Sequence, residues 1–272
     1  MNAKKDDAEL DDSWLRQAVV LGGEEGKGSY KKAYAGALLL THQYRMHPSI
    51  AAFSSKQYYN GLLRSPKSLS VQRGAGGALL RSVVSSEYPD SGYSFGNVAF
   101  IDIGDDALEE RSSADGAKRA ADSLDSLATS YKNLEEARIC VELIKKLTGP
   151  LGEGALECES IGVITPYNAQ RALLKQMLAE SDIENVEVNT VDSYQGREKK
   201  AIVFSCVRAN RRKADIGFLR DGRRMNVALT RAKECLFVVG SMSTLKRAGG
   251  DWKSFVQMVS NPVVTDSFQN NF

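Results

Sequence analysis

The sequence predicts an α/β fold in which a mostly parallel β-sheet is covered by helices on both faces. Two observations predict it: short runs of continuous apolar residues alternate with segments of helical periodicity, and the chain is long enough to bury a large core. Of its 272 residues, 42% are hydrophobic and 26% are charged. Strands that are apolar along their whole length are typical of parallel sheets with both faces covered.

The chain begins with a polar segment, residues 1–33, for which we predict a flexible lead-in. The apolar run from Ala35 to Thr41 then predicts a buried strand. Proline suits the first turn of a helix, and the apolar spacing after Pro48 predicts that a helix begins there. Together these two elements form one β-α unit.

A less regular stretch follows. Leu62 to Gly96 contains Gly, Ser and Pro between short apolar pieces such as Ala78 to Val84, a composition typical of loops. Asn97 to Ile103 predicts another strand. From Gly104 to Thr129 the composition shifts to Asp, Glu, Ser and Ala, which predicts a surface insertion with few core side chains.

From residue 133 onward the pattern becomes regular. It predicts helices at Asn133–Leu147, Asn168–Ala179, Met225–Lys233 and about Trp252–Val259, and strands at Ile161–Thr165, Val186–Val191, Ala201–Val207 and Cys235–Gly240. We assign residues 34–262 to one domain and residues 263–272 to a tail. Ligands of such sheets bind at the carboxyl ends of the strands, where we expect the polar motifs Gln43–His47, Pro166–Tyr167 and Asp192–Glu198.

Composition excludes several classes of protein. The 36 Lys and Arg residues balance 34 Asp and Glu residues, so the mean charge does not itself predict a polyanionic partner. No apolar run approaches the roughly 20 residues that span a bilayer, and we expect an intracellular protein of the nucleus or cytoplasm with no membrane partner. The four cysteines form no C-x-x-C pair, so we predict reduced cysteines and no metal site.

The sequence does not predict a phosphate-binding loop. Gly22 to Ser29 superficially resembles G-x-x-x-x-G-K-[ST], but only three residues separate Gly22 from Gly26, and Gly28 replaces the hydroxyl that would bind magnesium. We interpret this stretch as a flexible glycine linker. If the chain binds ATP, it must contact the nucleotide from the side opposite to a phosphate loop.

Arginines are candidates for that contact, because a guanidinium forks onto phosphate oxygens and stays charged. Arg45 follows the first predicted strand, beside the aromatic ring of Tyr44. Arg224 and Arg231 are predicted to share one face of a helix, where an arginine is costly unless an anion meets it. Any one of these is more readily an ordinary surface or salt-bridged arginine, but their occurrence in one domain favours phosphate contacts.

Four ordered blocks resemble those of a single family. They are Gln43 to Pro48, Ile164 to Gln170, Thr190 to Lys199, and Gly217 to Lys233. The blocks resemble the second RecA-like domain of superfamily 1 helicases of the 5′-to-3′ branch, the group that contains senataxin and the nonsense-mediated-decay helicase. The resemblance extends over residues 38–240 and implies a RecA-like fold that works with ATP.

The resemblance implies two catalytic residues, Arg45 and Arg231, which would act as arginine fingers on the γ-phosphate. It implies that the nucleotide is contacted by Gln43, Tyr44, Gly196 and Glu198, with Tyr44 near the adenine and Glu198 accepting a ribose hydroxyl. Without the family, Glu198 would more readily be a solvated acid beside its basic neighbours.

The resemblance also implies contacts with single-stranded RNA or DNA. These contacts would come from Thr165, Pro166, Tyr167, Thr190 and Arg197. Gln195 and Arg224 would couple the nucleotide to the strand, while Asp192 orients its loop. The basic run Arg211 to Lys213 is either a solvated loop or a further nucleic-acid contact.

The chain departs from the family by lacking the first RecA-like domain, which holds the phosphate loop and the acid that binds Mg²⁺. We therefore expect the chain alone neither to hydrolyse ATP nor to unwind. It is either a fragment of a longer helicase, one part of a motor whose first domain comes from a partner subunit, or a non-catalytic RNA- or protein-binding scaffold. The two retained finger arginines favour a motor. RNA and DNA are not distinguished, because both offer the same backbone contacts.

Overall fold

In the computed structural model, the described residues are 39–104, 109–112, 130–149, 155–210 and 215–260. The chain divides into two units, residues 1–41 and residues 42–272, and every element named below belongs to the second. The predictions for residues 1–33, 211–213 and 263–272 lie outside the described residues.

The described helices and strands follow one another in the order expected for an α/β domain. The helices are α1 Pro48–Tyr58, α2 Lys67–Gln72, α3 Gly74–Glu87, α4 Leu134–Thr148, α5 Asn168–Glu180, α6 Gly222–Leu229, α7 Met242–Ala248 and α8 Gly250–Ser260. The strands are β1 Gly92–Phe95, β2 Val98–Asp102, β3 Glu110–Arg111, β4 Tyr131–Lys132, β5 Ile161–Thr165, β6 Glu187–Thr190, β7 Lys199–Ser205 and β8 Ala232–Gly240. None of the described helices has the length and hydropathy that a membrane span requires.

A six-stranded sheet in the order β1-β2-β8-β7-β5-β6 forms the centre of the domain. All neighbouring strands are parallel except β1, which pairs with β2 in the antiparallel direction. Successive residues of a strand point to opposite faces, and Leu236 and Phe237 of β8 belong to two different hydrophobic clusters. Both faces of the sheet are therefore covered, which confirms the predicted fold class.

Local signals explain why the helices form where they do. The Asn133 side chain accepts a hydrogen bond from the Glu136 amide and caps α4, whose last turn carries Lys145 and Lys146. At α1, Pro48 is the first residue, and the His47 imidazole accepts a hydrogen bond from the Ser49 amide. His47 thus has a capping role at this helix.

The described part of the first predicted strand is not a strand. Residues 39–41 lie outside any element, and Leu40 is 75% exposed, while residues 35–38 lie outside the described residues. The next residue, His42, forms only an isolated bridge with Arg64. An apolar run becomes a strand only where a neighbouring strand supplies hydrogen-bond partners, and the composition of the run does not reveal whether one is present.

The predicted helix Met225–Lys233 is displaced. Helix α6 begins at Gly222, where the Asp221 carboxylate caps it, and ends at Leu229. The Thr230 hydroxyl then donates to the Asn226 carbonyl oxygen over 2.7 Å, and the chain turns into β8. The prediction that Arg224 and Arg231 share a helix face is therefore wrong.

Helices α2 and α3 occupy a stretch whose composition predicted loops. The misleading residues are glycines such as Gly76, which lies in the first turn of α3. A Cβ at Gly76 would lie 2.6 Å from the Glu234 carbonyl oxygen. Glycine is needed there because a helix passes close to the backbone, and not because the chain turns.

The described residues of the predicted insertion include a short ordered piece. Strand β3 pairs with β4, and the preceding residue, Glu109, contacts Arg208. The remainder of Gly104 to Thr129, other than Gly104 itself, lies outside the described residues. The expectation of few core contacts does not hold for Glu109, because its carboxylate meets a buried guanidinium.

The buried carboxyl group of Glu136 makes the stability of the domain depend on pH. Its Oε2 atom accepts hydrogen bonds from the Ser205 hydroxyl and from the Val207 amide, each over 2.7 Å, and burial raises its pKa to about 8. An unfolded Glu titrates near 4.3, so the folded chain binds more protons than the unfolded chain between these two values. The free energy of unfolding must therefore fall as the pH rises through this window.

We expect Glu136→Gln to remove this pH dependence, since the amide keeps the acceptor oxygen and cannot ionise. The variant should lose the fall of roughly 2–4 kcal/mol that the wild type shows between pH 5 and pH 8. Its stability is offset equally at both pH values, because the amide nitrogen takes the place of a buried oxygen that has no hydrogen-bond partner. Thermal unfolding at several pH values measures this, with Glu142→Gln as the control on the exposed side of the same helix. An unaltered pH slope in Glu136→Gln would show that the buried carboxyl group does not cause it.

Candidate functional site

The predicted site residues lie at two opposite edges of the sheet. Strands β7 and β8 are parallel, and Lys199 pairs with Ala232 at their beginnings. Glu198 and Arg231 immediately precede these strands and so lie at the amino-terminal edge, whereas Thr190 ends β6 at the carboxyl-terminal edge. The expectation that all polar motifs lie at the carboxyl ends is wrong for Glu198, because its segment crosses the sheet to begin β7.

The amino-terminal edge carries a basic cluster, which we define as Arg45, Glu198, Arg231 and Lys233. Arg45 Nε lies 2.5 Å from Glu198 Oε2, and Lys233 Nζ lies 2.7 Å from Glu198 Oε1. The Lys233 hydrogen bond and the Arg45 guanidinium lower the pKa of Glu198, so the group is a carboxylate at neutral pH. The Glu198 carboxylate therefore pairs with both Arg45 and Lys233.

Arg231 is the member of the basic cluster without an ionic partner. Its Nε donates to the Val227 carbonyl oxygen over 2.8 Å and its Nη2 to the Thr230 hydroxyl over 3.0 Å. Burial and the neighbouring Arg45 lower its pKa. No carboxylate of the described residues forms an ion pair with Arg231, although Glu198 acts on it at longer range. Three cations and one carboxylate leave the cluster with excess positive charge, as an anion site requires.

The loop that presents Arg45 is held together by the buried amide of Gln43. Its Nε2 atom donates to the Met46 carbonyl oxygen over 2.8 Å and to the Ser65 hydroxyl over 2.6 Å. Its Oε1 atom accepts from the amides of Arg45 and Met46. The predicted nucleotide contact through this side chain does not fit, since both ends of the amide already have partners within the protein.

Two other predicted nucleotide contacts are accessible. Tyr44 is 70% exposed beside Arg45. Gly196 has a φ of +83° and is exposed, and a Cβ added there would meet nothing within 4 Å. The left-handed backbone suits glycine, and the open space around it leaves room for a ligand to approach the main chain.

At the carboxyl-terminal edge, two of the residues predicted to contact single-stranded nucleic acid are buried. Thr165 is fully buried, and Tyr167 is only 2% exposed. The Tyr167 hydroxyl donates to the Ile216 carbonyl oxygen over 3.4 Å and accepts from Arg208 Nη1 over 3.3 Å. The Thr165 hydroxyl and the Tyr167 ring are therefore not exposed for contact with a nucleic acid, because the residues around Phe218 cover this end of β5.

The other residues predicted to contact single-stranded nucleic acid lie at both edges of the sheet. Pro166 is half-buried, and the Thr190 hydroxyl donates to Ser193 over 3.1 Å at the carboxyl-terminal edge. Arg197 instead pairs with Glu187, the first residue of β6, at the amino-terminal edge. The structure therefore places Arg197 and Thr190 at different edges of the sheet.

A cleft of about 710 Å³ opens at the carboxyl-terminal edge, and sequence reasoning missed it. Its lining includes Arg111, Tyr131, Tyr167, Arg208, Phe218 and Arg220, together with the acids Asp215 and Asp221. These residues come from five separate segments of the chain. The one available signal was Phe218, a large apolar residue in a polar stretch of the fourth block.

Charge in the cleft is partly neutralised by a buried ion pair. Arg208 Nε and Nη2 each lie 2.9 Å from one carboxylate oxygen of Glu109, and the Arg208 side chain is 5% exposed. The Arg208 guanidinium also lies 4.3 Å from the centre of the Tyr131 ring. Its contacts with Glu109 and Tyr131 thus hold Arg208 in the lining of the cleft.

Residues 28–243 match the family described as an AAA domain. The chain belongs to this family. It is 33% identical over 231 residues to the probable helicase MAGATAMA 3 of Arabidopsis thaliana, covering 84% of this chain and 25% of the relative. It is 34% identical over 222 residues to the probable helicase senataxin of Homo sapiens, covering 81% of this chain and 7% of the relative. The ATP-dependent helicase NAM7 of Saccharomyces cerevisiae is 37% identical over 211 residues, with coverages of 75% and 19%.

These matches confirm the resemblance to senataxin-like superfamily 1 helicases, and the chain is a helicase-family motor domain with a RecA-like α/β fold. It spans a quarter or less of the length of these three relatives.

Within this AAA domain, helix α6 joins the two edges of the sheet. Arg224 in its first turn pairs with Asp192 over 3.1 Å and lies 5.3 Å from the centre of the Phe218 ring, beside the cleft. Two residues after the helix ends, Arg231 lies in the basic cluster. The segment with exposed Gln195 runs between the same two edges. Both connections are short, so a shift at one edge has a direct route to the other.

Proposed function

We propose that this chain is the C-terminal motor half of an ATP-dependent helicase that acts on RNA or DNA. The observation that carries the proposal is the Arg231 guanidinium, half-buried beside Arg45 and without an ion-paired carboxylate at the amino-terminal edge. Holding two guanidiniums close together is unfavourable unless an anion joins them. The γ-phosphate of ATP is an anion of suitable charge and geometry for two arginines.

A first RecA-like domain, in the same chain or in a partner subunit, would hold the β-phosphate and Mg²⁺. Arg45 and Arg231 would stabilise the charge that develops in phosphoryl transfer. Tyr44 would contact the adenine, Gly196 would let the nucleotide approach the backbone, and Glu198 would accept a ribose hydroxyl. Gln43 would act indirectly, by holding the loop that carries Tyr44 and Arg45.

Arg45 holds Glu198 through Nε, and the structure offers a compensation if Arg45 releases that contact to meet a phosphate. Lys233 stays within 2.7 Å of the other carboxylate oxygen, so the charge of Glu198 remains neutralised when Arg45 leaves. Strand contacts would come from the carboxyl-terminal edge, including Pro166 and Thr190, and Gln195 and Arg224 would couple them to the nucleotide. We place this activity in a domain of residues 34–262, within the nucleus or cytoplasm.

The chain alone is expected to release no phosphate from ATP above the buffer rate, with or without single strands. Among the described residues, no group of three or more His, Cys, Asp or Glu side chains could hold the metal ion of ATP. Steady-state phosphate release by the purified chain tests this. Turnover by the chain alone would contradict the proposed division of the motor, and failure of any first RecA-like domain to produce turnover would favour a non-catalytic scaffold.

A further inference from the structure

Thr230 lies between the two arginines of the basic cluster and forms a hydrogen bond with each. It is 9% exposed and follows directly after helix α6. Its hydroxyl oxygen lies 3.0 Å from Arg231 Nη2, and its carbonyl oxygen lies 3.3 Å from Arg45 Nη1. One buried residue therefore contacts both of the guanidiniums that are proposed to meet the γ-phosphate.

The Thr230 hydroxyl acts as an acceptor toward Arg231, because its hydrogen points elsewhere. The hydroxyl donates to the Asn226 carbonyl oxygen over 2.7 Å and lies 3.2 Å from the Val227 carbonyl oxygen. A carbonyl oxygen only accepts hydrogen bonds, and a guanidinium only donates them. The direction of each hydrogen bond at this hydroxyl is thus fixed, and its lone pairs face Arg231.

Two acceptors hold the same edge of the Arg231 guanidinium. Nε donates to the Val227 carbonyl oxygen over 2.8 Å, and Nη2 donates to the Thr230 hydroxyl. A planar group that is bonded along one edge keeps a single orientation. The third nitrogen, Nη1, lies 3.5 Å from the Arg197 carbonyl oxygen, which is a weak contact. Nη1 can therefore exchange this contact for an anion while the Nε edge stays on α6.

We propose that Thr230 is a positioning residue that orients Arg231 for the γ-phosphate through its hydroxyl and contacts Arg45 through its carbonyl oxygen. A free arginine side chain samples many rotamers, so a fixed acceptor beside it favours the productive one. This inference rests on the proposed function and deepens it. A side-chain substitution removes the hydroxyl and leaves the main-chain carbonyl, so it tests the contact with Arg231.

The hydroxyl also ends helix α6, and this structural role is separable from positioning. Thr148, the last residue of α4, donates in the same way to the Ile144 carbonyl oxygen over 2.9 Å. Within the described residues, Thr148 has no hydrogen bond to an arginine. Thr148→Val is therefore the matched control. In Thr230→Val the Asn226 carbonyl oxygen still has the Thr230 amide as a donor, at 3.2 Å.

The first test measures strand-stimulated phosphate release in an assembly with a first RecA-like domain. Thr230→Val, which replaces the hydroxyl by a methyl group, is expected to lower kcat about tenfold or more, because a small misplacement of a catalytic group is costly. The KM for ATP should stay within about twofold, since a finger acts mainly in the transition state. Thr230→Ser, which keeps the hydroxyl, and Thr148→Val should both retain the wild-type kcat.

A double variant tests whether Thr230 acts through Arg231. In the Arg231→Ala chain, adding Thr230→Val should cause no further loss of turnover, because the group that it positions is already absent. A further loss there, wild-type kcat in Thr230→Val, or a loss in Thr230→Ser or Thr148→Val as large as in Thr230→Val would overturn the positioning role.

A second test uses the full chain alone and does not depend on turnover. Heteronuclear NMR of the chain labelled at arginine follows the Nε–H of Arg231, assigned as the signal that Arg231→Lys lacks. Thr230→Val should speed the exchange of this hydrogen with water about threefold or more, and Thr230→Ser and Thr148→Val should not. Unchanged exchange in Thr230→Val would overturn the positioning of Arg231. Faster exchange in Thr230→Val, with no assembly that turns over ATP, would uphold the positioning and contradict the motor assignment.

Discussion

Replacing Arg231 by alanine should slow ATP turnover by roughly 10³ or more in an assembly that contains a first RecA-like domain. Among the described residues, Arg231 has only neutral hydrogen-bond partners, which leaves its charge available to a γ-phosphate. Arg231→Lys should be nearly as damaging, because an ammonium group cannot fork across two oxygens. Arg45→Ala should have a similar effect, since its guanidinium lies in the same cluster.

The affinity for single strands in the absence of nucleotide should remain close to that of the wild type in these variants, because the proposed strand contacts lie at the opposite edge of the sheet. Both quantities are measured on the same purified proteins, with Lys200→Ala as a control on a neighbouring exposed cation. If turnover persists in both Arg231→Ala and Arg45→Ala, the arginines are not fingers, and the chain is better described as a scaffold.

Glu109→Ala is expected to lower the free energy of unfolding by about 3 kcal/mol, because it leaves the buried Arg208 guanidinium with only the more distant carboxylate of Asp215, 3.8 Å away. For a domain of this size the melting temperature should fall by roughly 10 °C. Glu110→Ala is the matched control, since the side chain of Glu110 is 59% exposed and its ion pair with Lys132 contributes little. Thermal unfolding of the two variants measures the difference.

The double variant Glu109→Ala with Arg208→Met should recover much of the lost stability, because no charge is then left buried and unpaired. Equal melting temperatures for Glu109→Ala and Glu110→Ala would show that the predicted surface insertion contributes nothing through Glu109. The same comparison decides how much of Gly104 to Thr129 can be removed: a shortened chain must keep Glu109.

Most helices and strands after residue 133 were predictable because they have local causes, although the short helix α7 was not predicted. Helix α4 follows a capping asparagine and carries apolar residues with helical spacing, and β8 is apolar from Cys235 to Val239. The start of β8 was not predictable, because Ala232 joins the sheet by pairing with Lys199, a contact that no local pattern encodes. The error in the placement of Arg231 follows from this.

The candidate site was predictable only in part. The block that contains Arg45 and the block that contains Arg231 were found, and the structure brings both to Glu198. The cleft was not found, since Arg111, Tyr131 and Phe218 lie far apart in the sequence and meet only in the folded chain. Tyr167 is 2% exposed whereas Phe218 is 50% exposed, and the sequence could not show this difference, because a motif gives the residue type but not its exposure.

The most direct test of the central claim is a titration of a first RecA-like domain with this chain, in which strand-stimulated phosphate release is followed. The account predicts no stimulated turnover by either protein alone, turnover that rises with added chain and saturates at equal concentrations, and no rise with the Arg231→Ala chain. Turnover by the first domain alone that the wild-type chain does not increase would contradict it.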